Sequence, residues 1–218
     1  MKLRHTPSEI DPAVHSYHLS KEKQQVRELL SGLIPVAGSV LTFAGLYGKD
    51  AIYFWEKRRA LVHSIEHDAN VFEQQKKHIK NRGAVTPCFG EAANVISSLA
   101  NIKLIFDLVH LDFCGPYNKL KEDAIHLTMR HMVKKNGHLA LTLMAARDGN
   151  LAGTQLVQNL EGGKAEYLGN RMEKLNSYIW AFSLEIGKEY KLKQCKTYHN
   201  DTLPNAPQMM FCLFKRNK

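Results

Sequence analysis

Glu66, Glu91 and Asp112 each stand where a short apolar run gives out, and a carboxylate there can accept hydrogen bonds from a ligand. Glu66 belongs to His63-Ser64-Ile65-Glu66-His67-Asp68, about 20 residues beyond the turn Phe43-Ala44-Gly45-Leu46-Tyr47-Gly48. An acid at that separation can accept from both ribose hydroxyls of an adenosine, with His67 beside it and Asp68 as its nearby substitute. Gly45 and Gly48 let the backbone turn sharply and approach a ligand closely. Glu91 follows Pro87-Cys88-Phe89-Gly90, where it can accept from an adenine amino group while Phe89 packs on the ring. Capping the next helix is the other role open to Glu91. Asp112 ends Phe106–Leu111 and opens Asp112-Phe113-Cys114-Gly115-Pro116-Tyr117, which joins a polar acceptor to aromatic rings.

Nucleophilic and metal chemistry are less well served. Cys114 is a candidate nucleophile, but no second cysteine follows in Leu139–Ala146, and Pro87-Cys88 comes after an earlier run. Both cysteines fit better as small packed residues. His63-Ser64-Ile65-Glu66-His67 has the letters of a zinc motif that needs a helix. In a strand, residues four apart sit about 13 Å from each other, so no metal is expected there. The four cysteines form no CxxC pair, which argues against zinc fingers and a disulfide framework and favours a reducing cytoplasm.

Those carboxylates need strands to carry them to one edge. Apolar runs of strand length occur at Val40–Phe43, Ala60–Ile65, Ala84–Cys88, Ile105–Leu111 and His138–Leu143. Helical stretches are predicted at Lys21–Leu30, with Ser20 as its N-cap, and at Asp50–Arg59, Asn70–Lys80, Glu91–Ala100 and Leu120–Lys134. Strand alternating with helix predicts βαβ units and a parallel sheet covered on both faces. Asn170–Glu189 resumes helical periodicity, and Tyr190–Tyr198 and Gln208–Phe214 close the chain as strands. Only His199–Pro207 joins those two, too little for a parallel crossover, so an antiparallel ending is expected. The fold class is therefore α/β, a doubly wound and mostly parallel sheet with an antiparallel C-terminal strand. The 218 residues suit a single domain, with 1–35 an N-terminal extension and 146–169 a loop or insertion.

A net charge of +9 attracts polyanions, nucleic acid first among them. Basic clusters stand at Lys57-Arg58-Arg59, Lys76-Lys77-His78, Lys80-Asn81-Arg82, Lys134-Lys135 and Lys215–Lys218. Better placed for a substrate are the N-terminal segment through Lys23 and the Ala145–Lys164 loop with Arg147, because edge loops carry specificity. Met1–Ser8 lacks the apolar core of a signal peptide. Leu29–Gly48 is uncharged, but five helix-breaking glycines and prolines point to a helix end, a loop and a buried strand instead of a membrane span.

In this order the turn at Phe43–Gly48, Glu66, Gly90-Glu91, Asp112–Tyr117 and the closing strand pair resemble class I S-adenosylmethionine-dependent methyltransferases, over about Val40–Phe214. The resemblance implies a seven-stranded Rossmann-like fold and S-adenosylmethionine as cofactor. It assigns the cofactor to Phe43, Ala44, Gly45, Gly48, Glu66, His67, Gly90, Glu91 and Asp112. Asp112–Tyr117 looks like a variant of the Asp-Pro-Pro-Tyr motif of enzymes that methylate exocyclic amines, with Asp112 the acceptor, Pro116 within the motif and Tyr117 the stacking platform. Phe113, Cys114 and Gly115 separate the acid from Pro116, and the first loop has Gly45 and Gly48 where the family often shows GxGxG. DNA or RNA is the acceptor that this resemblance and the charge imply together. A small-molecule or protein acceptor, a nicotinamide-dependent oxidoreductase and a non-catalytic relative are the alternatives.

Overall fold

A computed structural model describes residues 21–45, 47–113, 118–144, 164–198 and 209–217. Its strands are β1 (Ser39–Thr42), β2 (Leu61–Glu66), β3 (Val85–Phe89), β4 (Phe106–Asp112), β5 (Val133–Met144), β6 (Tyr190–Tyr198) and β7 (Met209–Arg216). They form one sheet in the order β3-β2-β1-β4-β5-β7-β6. The first five pair in parallel, and β7 is antiparallel to both β5 and β6. The predicted doubly wound α/β sheet and antiparallel ending are thus what the chain forms. Winding reverses between β1 and β4, which opens a crevice at their carboxyl ends.

The helices are α1 (Lys21–Leu33), α2 (Lys49–Arg58), α3 (Ala69–Ile79), α4 (Ala92–Asn101), α5 (Lys119–Leu127) and α6 (Lys164–Glu185). Two apolar layers follow from the alternation of the strands. Val109 and Leu111 of β4 join Ile96, Ile125 and Ile179 on one face. Leu108 joins Val26, Leu30, Ala51 and Phe54 on the other. Among the described residues no helix is long and apolar enough to cross a membrane.

Two boundaries and one cross-link differ from expectation. The helix expected over Leu120–Lys134 stops at Leu127, passes through a π-turn at Thr128–Met132, and gives way to β5 at Val133. Val133 pairs with Phe106, and the register then shifts before Leu108 meets His138. That irregularity absorbs Asn136, at φ +65°, and Gly137, where a Cβ would stand 2.9 Å from Asp107 O. Lys134-Lys135-Asn136-Gly137 looks like a loop in sequence, yet it is the start of the strand. Secondly, α6 begins at Lys164, ahead of the helical stretch expected from Asn170. Thirdly, Cys195 and Cys212, expected as separate thiols, face each other in the β6–β7 register and are joined by a disulfide. Residues 145–163 with Arg147, and Ser20, lie outside the described residues.

Candidate functional site

A cavity of about 660 Å³ opens at the carboxyl ends of β1 to β4. Its wall takes Phe43 and Gly45 after β1, Glu66 and His67 at the end of β2, Gly90–Asn94 after β3, and Asp112 and Phe113 after β4. Strands that end level with one another deliver these residues together, because register fixes where each chain leaves the sheet. Phe43 and Phe113 meet edge to face at 5.2 Å and form part of the apolar lining. Asn118, which caps α5 by accepting from Lys121 N, completes the rim with Leu120 and Lys121.

Seven of the nine residues expected to hold a cofactor lie on that wall: Phe43, Gly45, Glu66, His67, Gly90, Glu91 and Asp112. Ala44 is instead buried in the core beside α2. Gly48, at φ +63°, is the N-cap of α2, and a Cβ there would come within 3.0 Å of Ile79 Cγ2. It is needed for packing the turn onto α3. Phe89, expected to pack on an adenine ring, leans on Phe72 at 5.2 Å and is not among the residues that line the cavity. His63 and Glu66 both belong to β2, which holds the letters of the zinc motif in extended chain. Cys114, Gly115, Pro116 and Tyr117 lie outside the described residues.

Glu66 is held by local backbone. Its Oε1 accepts from the N–H groups of His67 (2.8 Å) and Asp68 (2.9 Å), and Oε2 has no hydrogen-bond partner among the described residues. Burial raises its pKa, opposed by those N–H bonds and by the neighbouring His67. Asp68 does not substitute for it, because its side chain caps α3, accepting from Asn70 N and Val71 N. Glu91 stands at the N-cap of α4 but makes no side-chain cap bond, which leaves its carboxylate available at the cavity.

Sequence reasoning missed two supports of this site. The first is Gln75 of α3, which is fully buried. Its Nε2 donates to Gly45 O (2.7 Å), and its Oε1 accepts from Ser64 Oγ (3.0 Å). One side chain thus clasps the turn after β1 to strand β2. A glutamine amid polar helix residues carries no signal of its own. Only its place one helical turn from both Val71 and Ile79 hinted at an inward face.

The second support is a buried set of charges beneath Asp112. His110 and Asp112 point to the same face of β4, two residues apart. His110 lies between Thr42 Oγ1 (3.5 Å) on β1 and Thr142 Oγ1 (3.4 Å) on β5. Above them α1 presents Lys23 and Arg27. Lys23 donates to Asp112 Oδ2 and lies 3.8 Å from Asp50, while Arg27 Nε donates to Asp50 Oδ1 at 2.5 Å. Lys23 is 0% exposed and Asp112 8%. Asp112 Oδ1 is buried without a hydrogen-bond partner among the described residues. Burial opposes the ionisation of Asp50, but Lys23 and Arg27 prevail and bring its pKa down to about 2. Burial, with Lys23 adding to it, pushes His110 down to about 3, so it is neutral at physiological pH. The missed signal lay in α1: Lys23, Arg27 and Ser31 share the arc of Val26, Leu30 and Ile34, and all six are buried.

The sequence matches no protein-family model and no curated protein. Its fold is that of solved methyltransferase structures. A fibrillarin pre-rRNA processing protein of Methanococcus jannaschii is 14% identical, with a TM-score of 0.56 over 84% of this chain and 69% of that one. An rRNA methylase from Streptococcus thermophilus is 10% identical, with a TM-score of 0.57 over 92% and 99% of the two chains. TYW2 of M. jannaschii, solved in complex with AdoMet, is 16% identical, with a TM-score of 0.54 over 90% and 77%. The common ground is the Rossmann-like sheet with its antiparallel C-terminal pair.

Proposed function

We propose that this chain is an S-adenosylmethionine-dependent methyltransferase whose acceptor is DNA or RNA, at an exocyclic amino nitrogen of a base. The observation that carries the reading is the charge of the cavity wall. Three carboxylates, Glu66, Glu91 and Asp112, border it. A dinucleotide pyrophosphate meets negative charge along that wall. An adenosine sulfonium carries no phosphate and one positive charge, and it suits the wall.

Glu66 then takes the ribose hydroxyls through Oε2, and Glu91 the adenine amino group, with Gly45 giving the methionine portion close backbone approach. When bound, S-adenosylmethionine supplies a methyl group already activated on sulfur. What remains for the protein is position. Asp112 Oδ1 accepts an N–H of the incoming amine and aims its lone pair at the cofactor. Lys23, bonded to Oδ2, fixes the rotation of that carboxylate. Of the neighbours, the fibrillarin and rRNA methylase structures are named for RNA, and TYW2 holds AdoMet. These names and the net charge of +9 favour a nucleic-acid acceptor.

Calorimetry with S-adenosylmethionine, S-adenosylhomocysteine and NAD tests the cofactor, with binding of the first two and none of the third expected. Incubation with methyl-labelled donor and pooled DNA and RNA, followed by nucleoside digestion, tests the acceptor. Label on an N-methylated base supports the reading. Binding of NAD alone overturns it. Label confined to a small molecule or protein replaces the acceptor, and cofactor binding without any transfer marks a non-catalytic relative.

The Gln75 clasp gives a separate expectation. Gln75→Leu strands the Ser64 hydroxyl and frees the Gly45 turn, so affinity for S-adenosylmethionine should fall about tenfold, with some loss of stability. Gln75→Glu sets a buried carboxylate against the Gly45 carbonyl in place of the donor, so it should weaken binding and cost more stability than Gln75→Leu. Equal binding by both variants and wild type would remove Gln75 from any positioning role.

A further inference from the structure

Two basic clusters that are separate in sequence meet on one outer face of the molecule. Arg82, just beyond α3, places its guanidinium over the Trp55 ring of α2 at 5.7 Å and lies 3.6 Å from Glu56. Arg59, at the end of α2, stands over the same indole at 5.2 Å. Trp55 therefore ties the end of α2 to the α3–β3 connection. Elsewhere on α2, Lys57 lies over Tyr53 at 5.9 Å, and Lys49 over Tyr47 at 5.5 Å. Tyr47 in turn meets His78 at 5.0 Å. Tyr47 and Lys49 stand at the opposite end of α2 from Arg59.

Not every cation here is available. Arg58 turns inward and donates to Ser31 O at 2.6 Å, and Lys76 pairs with Glu73 at 3.0 Å. Lys57, Arg59, Lys77 and Lys80 are exposed, and among the described residues none of them has a salt bridge. A guanidinium stacked on an indole keeps its N–H edges free in a fixed plane, a geometry suited to phosphate oxygens. Membrane surfaces are instead met by helices with an apolar face to insert. The exposed end of α2 offers Glu56, Lys57 and Arg59, all charged.

We propose that the face formed by α2 and the α3–β3 connection docks the phosphate backbone of the nucleic-acid acceptor, through Lys57, Arg59, Lys77 and Lys80. This rests on the nucleic-acid reading above. Each phosphate neutralised releases counterions, so the face adds to the salt dependence of binding in proportion to its contacts.

The test is fluorescence anisotropy of the full chain with labelled single-stranded RNA and duplex DNA across a salt series. Lys57→Gln, Arg59→Gln, Lys77→Gln and Lys80→Gln are combined in one variant. The charge-matched control combines Lys103→Gln, Lys135→Gln, Lys191→Gln and Lys193→Gln, all exposed positions elsewhere. At about 100 mM salt the first variant should bind about tenfold or more weakly, with a log–log salt slope shallower by about 2–4. The control should lose far less, and both should melt with the wild type. Equal losses in the two variants, or wild-type affinity in the first, overturn the proposal. So does a variant that loses only phosphatidylserine vesicles, which would assign the face to membrane. If the wild type binds no polynucleotide, the nucleic-acid reading itself fails, whereas S-adenosylmethionine binding by calorimetry is untouched by that outcome.

Discussion

Lys23→Met should destabilise the protein by about 3–5 kcal/mol, read as a shift of the urea unfolding midpoint followed by circular dichroism. Methionine keeps most of the buried stem, so the loss reports the ammonium and not a cavity. Without that ammonium, Asp112 remains in the interior with its charge and no bonded cation, and Asp50 keeps only Arg27. Domains of this size are stable by about 5–15 kcal/mol, so the effect is a large share of the total. Combining Lys23→Met with Asp112→Asn should restore a good part of it, because a neutral pair no longer leaves a charge unpaired. A single-variant loss below about 1 kcal/mol would show that α1 does not neutralise the sheet edge through Lys23.

The same cluster sets an acid limit. The pKa of Asp50 is depressed from 3.8 to about 2 in the folded chain. Its stabilising contribution is complete above its unfolded pKa, and it is lost as pH falls from there through about 2. In Lys23→Met one of the two cations facing Asp50 is gone, and that loss should begin at higher pH.

Glu66→Ala should weaken S-adenosylmethionine about 30-fold or more, since two hydroxyl bonds to a carboxylate together contribute about 2 kcal/mol or more. Stability should hardly change, because the described bonds of Glu66 are local ones to His67 and Asp68. Calorimetry against denaturant unfolding separates the two quantities. The pH dependence has a defined sign. Burial raises the pKa of Glu66, so its ionised form is depleted as pH falls, starting above the range of an ordinary glutamate. Affinity should weaken in that direction, and Glu66→Gln should flatten the profile. Unchanged affinity in the alanine variant would take Glu66 out of the site.

Much of the fold was legible because its signals are local. Apolar runs of strand length alternate with helical periods, and the nine residues between the last strands exclude a parallel crossover. Glu66 and Asp112 could be placed at strand ends for the same reason, and both line the cavity. Gly48 shows where that logic stops. Its type marks a turn, but whether the bare Cα serves a ligand or the side chain of Ile79 depends on which element packs there. Val133 entered a strand ahead of a Lys-Lys-Asn-Gly sequence because pairing with Phe106 outweighs local turn preference.

What the sequence by itself determined is the order of elements, the doubly wound sheet and the residues that end each strand, all set by periodicity over a few positions. The tertiary structure alone decided what those residues are bonded to. Lys23 meets Asp112 across 89 positions, Gln75 clasps Gly45 across 30, and Arg82 reaches the indole of Trp55. Charge and amide groups carry no directional signal along the chain. Their partners are chosen when burial strips them of water, and each must then find an opposite charge or a hydrogen bond wherever the packed elements bring one.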